Sequence, residues 1–229
     1  GGALISQIFD ITVNNIFLRI MHLIGGFSPT IASYISLKRS NKVKNFKEWL
    51  KEIFDIKHNI WTYALVILFV LIYYVLGCAI NGYEMGAPIF MLIIILPMML
   101  FGGGNEEVGW RMILQPELEK NFGFNIATLF TAIIWWLWHL PIFFIKGTAN
   151  VNMNYFLFGI MCLTLCYALA TIRKVSKGVF PCILLHCLIN GLSAIFVFNY
   201  SPLSCVISLI VTILVSMLIL NINKRYIRE

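Results

Sequence analysis

Two adjacent carboxylates, an arginine, two histidines and an asparagine are the residues of this chain best suited to chemistry: Glu106, Glu107, Arg111, His139, His186 and Asn190. Each lies in or beside a long apolar run, where an ionisable side chain costs several kcal/mol unless it is paired or faces a cavity. Their spacing repeats one geometry. Glu107 with Arg111, Trp135 with His139, and His186 with Asn190 stand at i and i+4, so each pair shares one helix face about a turn apart. Three helices can therefore aim polar groups into one cavity. Arg111 can neutralise and orient Glu107 by a charge-assisted bond, which leaves Glu106 as the carboxylate free for chemistry. Two histidines and a carboxylate are also the groups that activate water, by general-base catalysis or through a metal. Taken singly, each has a plainer role: a Glu pair favours a helix N-terminus, and a histidine or asparagine within a span bonds to a neighbouring helix. Their joint occurrence favours the chemical reading.

The elements that must position these groups are membrane helices. The chain has 229 residues, 60% hydrophobic and 12% charged, with a mean hydropathy of +0.86, far outside the composition of a water-soluble domain. Apolar runs of about twenty residues, each able to cross a hydrocarbon core, recur along the whole length. The expected spans cover about residues 12–37, 60–82, 87–104, 125–145, 152–172, 178–199 and 203–222. The predicted fold class is thus all-α: a polytopic membrane protein with about seven transmembrane helices plus short interfacial helices, in a single membrane-embedded domain over 1–229. Arg19 and His22 are the other ionisable groups within a span, assigned to interhelical pairing or a cavity wall.

The formal charge of +7 does not imply nucleic acid, because the basic residues sit in short loops between apolar spans rather than on one exposed face with stacking aromatics. Lys38, Arg39, Lys42, Lys44, Lys47, Lys51 and Lys57 fill loop 38–59, and Lys120, Arg173/Lys174/Lys177 and Lys224/Arg225/Arg228 fall on the same side by parity. The positive-inside rule then places the C-terminus in the cytoplasm. Within loop 38–59, Phe46, Trp49, Leu50, Ile53 and Phe54 recur at helical spacing beside Lys and Glu, as in an amphipathic helix lying in the interface. Residues 105–120 read as a second such segment. The six cysteines carry no CxxC pair and read as small packing residues. No internal repeat or low-complexity tract stands out. The start, Gly-Gly with no Met and no basic n-region, reads as cut short.

At these residues the sequence closely resembles the CPBP (Abi) family, the membrane CAAX proteases and bacteriocin-processing enzymes. The family pattern EExxxR, FxxxH, HxxxN reads here as Glu106-Glu107 to Arg111, Trp135 to His139, and His186 to Asn190, in that order on separate helices. The stretches GFSPTIA (26–32), EEVGWR (106–111), HLP (139–141) and FPCILLHCLIN (180–190) are also family-like, and the resemblance runs over about residues 25–199. Trp135 replaces the usual Phe, and the chain shows one N-terminal span fewer than many members. The resemblance implies an intramembrane endopeptidase in which Glu106 activates water, His139 and His186 position it or stabilise the oxyanion, Asn190 adds an oxyanion donor, and Glu107 with Arg111 holds the motif in shape.

Sequence leaves the metal question open. Glu106, His139 and His186 suit an open zinc site, but the HExxH helix signature is absent, and the metal-free glutamic mechanism is favoured. The expected partners are the lipid bilayer and a membrane-bound peptide or protein substrate, such as a bacteriocin or signalling-peptide precursor or a prenylated C-terminus. The frequency of Ile, Lys and Asn points to a bacterial cell membrane. Two other functions fit the composition: a non-catalytic bacteriocin-immunity or membrane scaffold protein, and a proton-coupled transporter, for which inverted repeats and paired broken helices would be needed.

Overall fold

Asparagine before an apolar run is the recurrent start signal in this chain, because its side-chain oxygen accepts an orphan N–H of the first helical turn. Asn15 caps through Phe17 N, Asn45 through Glu48 N, Asn59 through Trp61 N, and Asn154 through Phe156 N and Leu157 N. In the computed structural model, which describes residues 2–226, these caps open α2 (Ile16–Arg39), α3 (Phe46–Ile53), α4 (Ile60–Asn81) and α8 (Tyr155–Ser176). A short α1 (Gly2–Ile8) precedes them. Between α4 and α8 lie α5 (Leu92–Met99), a one-turn α6 (Glu107–Gly109) and α7 (Gln115–Trp138). After α8 come α9 (Phe180–Ser193) and α10 (Pro202–Tyr226). Arg228 of the C-terminal basic cluster lies outside the described residues, as do the side chains of Lys224 and Arg225.

The protein is an all-helical polytopic membrane protein. Among the described residues five helical stretches are long and apolar enough to cross a bilayer: Ile16–Arg39, Ile60–Asn81, Ile89–Phe144, Tyr155–Ser176 and Pro202–Asn223. The sequence expectation of seven spans differs from this in two places, each with a physical reason. Spans 87–104 and 125–145 fall within the single stretch Ile89–Phe144 of 56 residues. That stretch is interrupted by Pro97, the glycine run 102–104 and Gly123, whose φ of 72° breaks α7 internally. The span expected at 178–199 is helical only over the 14 residues of α9. It then turns into a two-residue strand, Phe196–Val197, paired antiparallel with Glu84–Met85.

At about 1.5 Å per residue, α9 is roughly 20 Å long, short of a hydrocarbon core. It is nevertheless well enclosed, with Cys182, Ile183, Leu185, His186, Cys187 and Ile189 all buried. It packs against α4, α5 and α8, so protein rather than lipid surrounds its polar side chains. The main core joins Val66, Phe69 and Tyr74 of α4, Ala132 and Trp135 of α7, Cys166 and Leu169 of α8, and Leu185 and Ile189 of α9. A second cluster seats Trp49 and Ile53 of α3 against Leu37, Val108 and Ile183. Five cysteines are buried and Cys78 is half-buried, all as free thiols.

Charges segregate to two ends. Lys42 and Lys120 both pair with Glu117, at 3.0 and 2.6 Å, and Lys174 pairs with Glu119. This draws loop 38–59, the start of α7 and the end of α8 to one end of the bundle. At the other end of α8, Lys146 pairs with Asp10, whose carboxyl is held below its usual range by that hydrogen bond and by the ammonium charge. Residues 105–120 do not form the second interfacial helix expected from sequence. Asn105 to Arg111 and Gln115 are all buried, and only the far end, around Glu117 and Lys120, reaches the surface. Arg19 bonds locally to Val13 O and Asn14, and His22 faces the main cavity.

Candidate active site

The first motif follows a backbone that only glycine tolerates. Gly103 has φ 142°, and a Cβ there would stand 2.5 Å from Asn190 Nδ2 and 2.9 Å from His186 Nε2. This close approach lets the chain turn beneath α9 and start the Gly104–Glu106 turn, α6 and a π-helical turn, Trp110–Leu114. Such π turns often mark functional segments of helices. Gly109 serves the opposite face, where a Cβ would lie 2.5 Å from Pro29 Cβ of α2. The two motif glutamates are thus clamped between α2 and α9.

Glu107 is fully buried and holds two partners at once. Arg111 Nε donates to its Oε2 at 2.8 Å, as the i,i+4 spacing predicted, and His186 Nδ1 lies 2.8 Å from its Oε1. A carboxylate only accepts, so His186 Nδ1 is the protonated nitrogen and Nε2 is turned toward Gly103 and the cavity. The charged ladder then continues every fourth residue. Arg111 Nη1 donates to Gln115 Oε1 at 3.3 Å, and Gln115 Nε2 donates to Glu119 at 3.1 Å and to Thr128 at 3.1 Å. Arg111 also reaches Cys166 Sγ at 3.1 Å, and Arg173 donates to the Arg111 carbonyl at 2.9 Å. The sequence reading stopped at Arg111. The repeat 107, 111, 115, 119 was the signal for Gln115 and Glu119.

Glu106 is 8% exposed and opens on a cavity of about 690 Å³ that Trp135, His139, His186 and Asn190 also line. Trp135 Nε1 donates to Glu106 Oε2 at 2.8 Å. His139 Nδ1 lies 2.8 Å from the Trp135 carbonyl, so it carries the proton there, and its Nε2 stands 4.0 Å from Glu106 Oε2. Asn190 Nδ2 donates to Gly102 O at 3.0 Å, which commits one of its two N–H groups and ties α9 to the glycine run. All six residues singled out from sequence therefore belong to one cluster. Four of them face the cavity, while Glu107 and Arg111 lie behind it.

Sequence reasoning missed the bonds that cross between helices: Glu107 to His186 and Trp135 to Glu106. Spacing within one helix carries no information about either. Gly103 was visible only as part of a glycine run.

Residues 88–192, which contain all three motifs, match the family model described as Type II CAAX prenyl endopeptidase Rce1-like. A relative named CAAX prenyl protease 2, from the archaeon Methanococcus maripaludis, is 25% identical over 214 residues, covering 82% of this chain and 76% of the relative. Over these residues the chain is similar to the CAAX proteases of the CPBP family. That similarity accords with an intramembrane endopeptidase, and the buried Glu, His and Arg interactions are consistent with a catalytic cluster on such a fold.

One carboxylate and two imidazoles form a donor set that zinc accepts, and in both histidines Nε2 is the uncommitted nitrogen. Among the described residues, however, no three His, Cys, Asp or Glu side chains stand close enough to hold a metal ion.

Proposed function

We propose that the protein hydrolyses a peptide bond in a membrane-associated peptide or protein, with Glu106 as the general base that activates water. The observation that carries this reading is the facing of Glu106 Oε2 and His139 Nε2 across 4.0 Å within the cavity. That gap is too long for a direct hydrogen bond and suits a water that donates to both. Glu106 takes one proton as the water oxygen attacks the carbonyl, and the His139 lone pair fixes the second hydrogen. The charge that develops on the carbonyl oxygen needs donors. The free N–H of Asn190 supplies one, and His186 Nε2 supplies another once the imidazole is doubly protonated.

Charge counting supports that assignment. With both carboxylates ionised, Arg111 balances one of them and a proton on His186 balances the other. Glu107 then acts on His186 as a buried carboxylate acts on the histidine of a hydrolase triad, orienting it and stabilising its cationic form. Glu106 returns its proton to the leaving amine. Six residues take part, Glu106, His139, His186 and Asn190 at the reacting atoms and Glu107 with Arg111 behind them.

We infer seven crossings, with Ile89–Phe144 counted as two and α9 as one enclosed by protein. The ion pairs of Lys42, Lys120 and Lys174 at one end and the Glu84–Val197 strand pairing support this count. By the positive-inside rule, the basic end and the C-terminus are cytoplasmic. The polar ladder from Glu107 to Glu119 leads from the site toward that end, which favours substrates presented near the cytoplasmic face. Candidate substrates are a bacteriocin or signalling-peptide precursor or, as the name of the archaeal relative indicates, a prenylated C-terminus.

The test is cleavage of membrane-anchored peptide libraries, including farnesylated CaaX peptides, by purified protein and by Glu106→Gln, with zinc measured in the same samples. Loss of cleavage in the variant is expected. Full cleavage by Glu106→Gln removes this carboxylate from the chemistry, and cleavage that tracks bound zinc replaces the glutamic mechanism with a metal-dependent one.

A further inference from the structure

Trp135 touches three of the four residues that face the reaction. Its indole N–H donates to Glu106 Oε2 at 2.8 Å, and its carbonyl accepts from His139 Nδ1 at 2.8 Å. Its ring stands edge-on to both His139 and His186, with centroids 5.4 Å away in each case. It is 3% exposed and sits in the main core, against α8 and α9. A buried indole N–H needs a partner, and the neighbouring Trp136 finds its own in the Tyr155 carbonyl at 2.9 Å. Trp135 instead spends its N–H on the carboxylate. The Trp110 indole also faces this carboxylate but completes no hydrogen bond of good geometry, and His139 remains at 4.0 Å.

The consequence is geometric. A carboxylate on a two-bond stem facing an open cavity has several rotamers, and a general base must hold the one that meets the water. We propose that Trp135 is a positioning residue, whose indole N–H fixes the Glu106 carboxylate in its reactive rotamer and whose backbone carbonyl fixes the His139 tautomer that faces it. This rests on the endopeptidase reading of Glu106. A phenyl ring would fill the same wall without an N–H, so the hydrogen bond is an added constraint on the base rather than a by-product of packing.

Trp135→Phe separates the two roles, because it keeps a ring in the core and removes the donor. A hydrogen bond to a charged group is worth about 1.5–3 kcal/mol, so kcat is expected to fall about ten- to a hundredfold with KM within twofold of the parent. Parent-like kcat in Trp135→Phe overturns the proposal. So does a variant whose remaining folded fraction accounts for the whole loss of rate.

A second measurement needs no turnover. The Trp135 indole 1H–15N resonance, identified by its disappearance in Trp135→Phe, is expected to move upfield in Glu106→Ala as its acceptor is removed. An unmoved resonance overturns the proposal. If neither protein cleaves any substrate, the endopeptidase reading fails, and a resonance that still responds to Glu106→Ala then makes the bond purely structural, which overturns the positioning role as well.

Discussion

At the residue scale the site depends on two kinds of constraint, charge pairing behind the cavity and backbone geometry beneath it. Glu107 and Arg111 are both fully buried and 2.8 Å apart, and removing one partner of such a pair leaves an uncompensated charge at a cost of about 3–5 kcal/mol. Glu107→Gln is therefore expected to lower the melting temperature in detergent by roughly 6–20 °C, and to lower activity through the lost anchor of His186. An unchanged melting temperature would show that the pair contributes nothing to stability. Glu106 predicts the opposite pattern. Its carboxylate faces the cavity, and a glutamine amide oxygen can still accept from Trp135, so Glu106→Gln should lose about a hundredfold or more in kcat with little change in melting temperature. Gly103→Ala combines both effects. The new Cβ would enter at 2.5 Å from Asn190 Nδ2 while the backbone holds φ 142°, so strain of about 1–3 kcal/mol should accompany a loss of about a hundredfold in kcat/KM. Wild-type kinetics in Gly103→Ala would mean that the glycine run does not set the distance to His186 and Asn190.

At the element scale, helices are brought into register by close backbone approaches and by cross-helix polar bonds. α2 meets the segment that carries Glu106 and Glu107 where Gly109 faces Pro29, and Thr30 Oγ1 donates to the Asn105 carbonyl at 2.7 Å. Gly109→Ala would place a Cβ 2.7 Å from the Pro29 carbonyl oxygen, and two backbones cannot yield as a flexible side chain can. The expected outcome is a displaced α2, seen as a lower melting temperature and faster proteolysis of loop 38–59; equal resistance to protease would show that α2 is docked elsewhere. This scale also marks what the sequence could and could not convey. The i,i+4 pairs made the Glu107–Arg111 bond legible, and the asparagine caps announced helix starts, because both are properties of one segment. The burial of residues 105–115 was not legible. Their mixture of charge and apolar residues is the same whether the polar face meets water or meets α9, and only the neighbour decides. For the same reason Trp135 read as a wall, since its N–H finds Glu106 29 positions away in the chain.

At the scale of the whole molecule, the ion pairs gather loop 38–59, the start of α7 and the end of α8 at one end of the bundle. The apolar runs conveyed an all-helical membrane protein directly, but the count of crossings depends on tertiary packing. α9 is too short to stand in lipid and can carry His186 and Asn190 only because α4, α5 and α8 enclose it. The β pairing of Glu84–Met85 with Phe196–Val197 then returns the chain to the end where α4 finished, which leaves α10 one crossing from the basic end. Seven crossings thus predict that Lys47 in α3 and Asn152 before α8 lie on opposite sides of the membrane. Both positions are exposed, and five of the six native thiols are buried, so Lys47→Cys and Asn152→Cys can be compared in a Cys78→Ala background. An impermeant maleimide should label the Asn152 variant in intact cells and the Lys47 variant only after lysis. The reverse pattern would invert the protein and put the basic loops outside. Labelling of both in intact cells would require an even number of crossings between them, and with it a different path for Ile89–Phe144, the segment that carries Glu106, Glu107, Arg111 and His139.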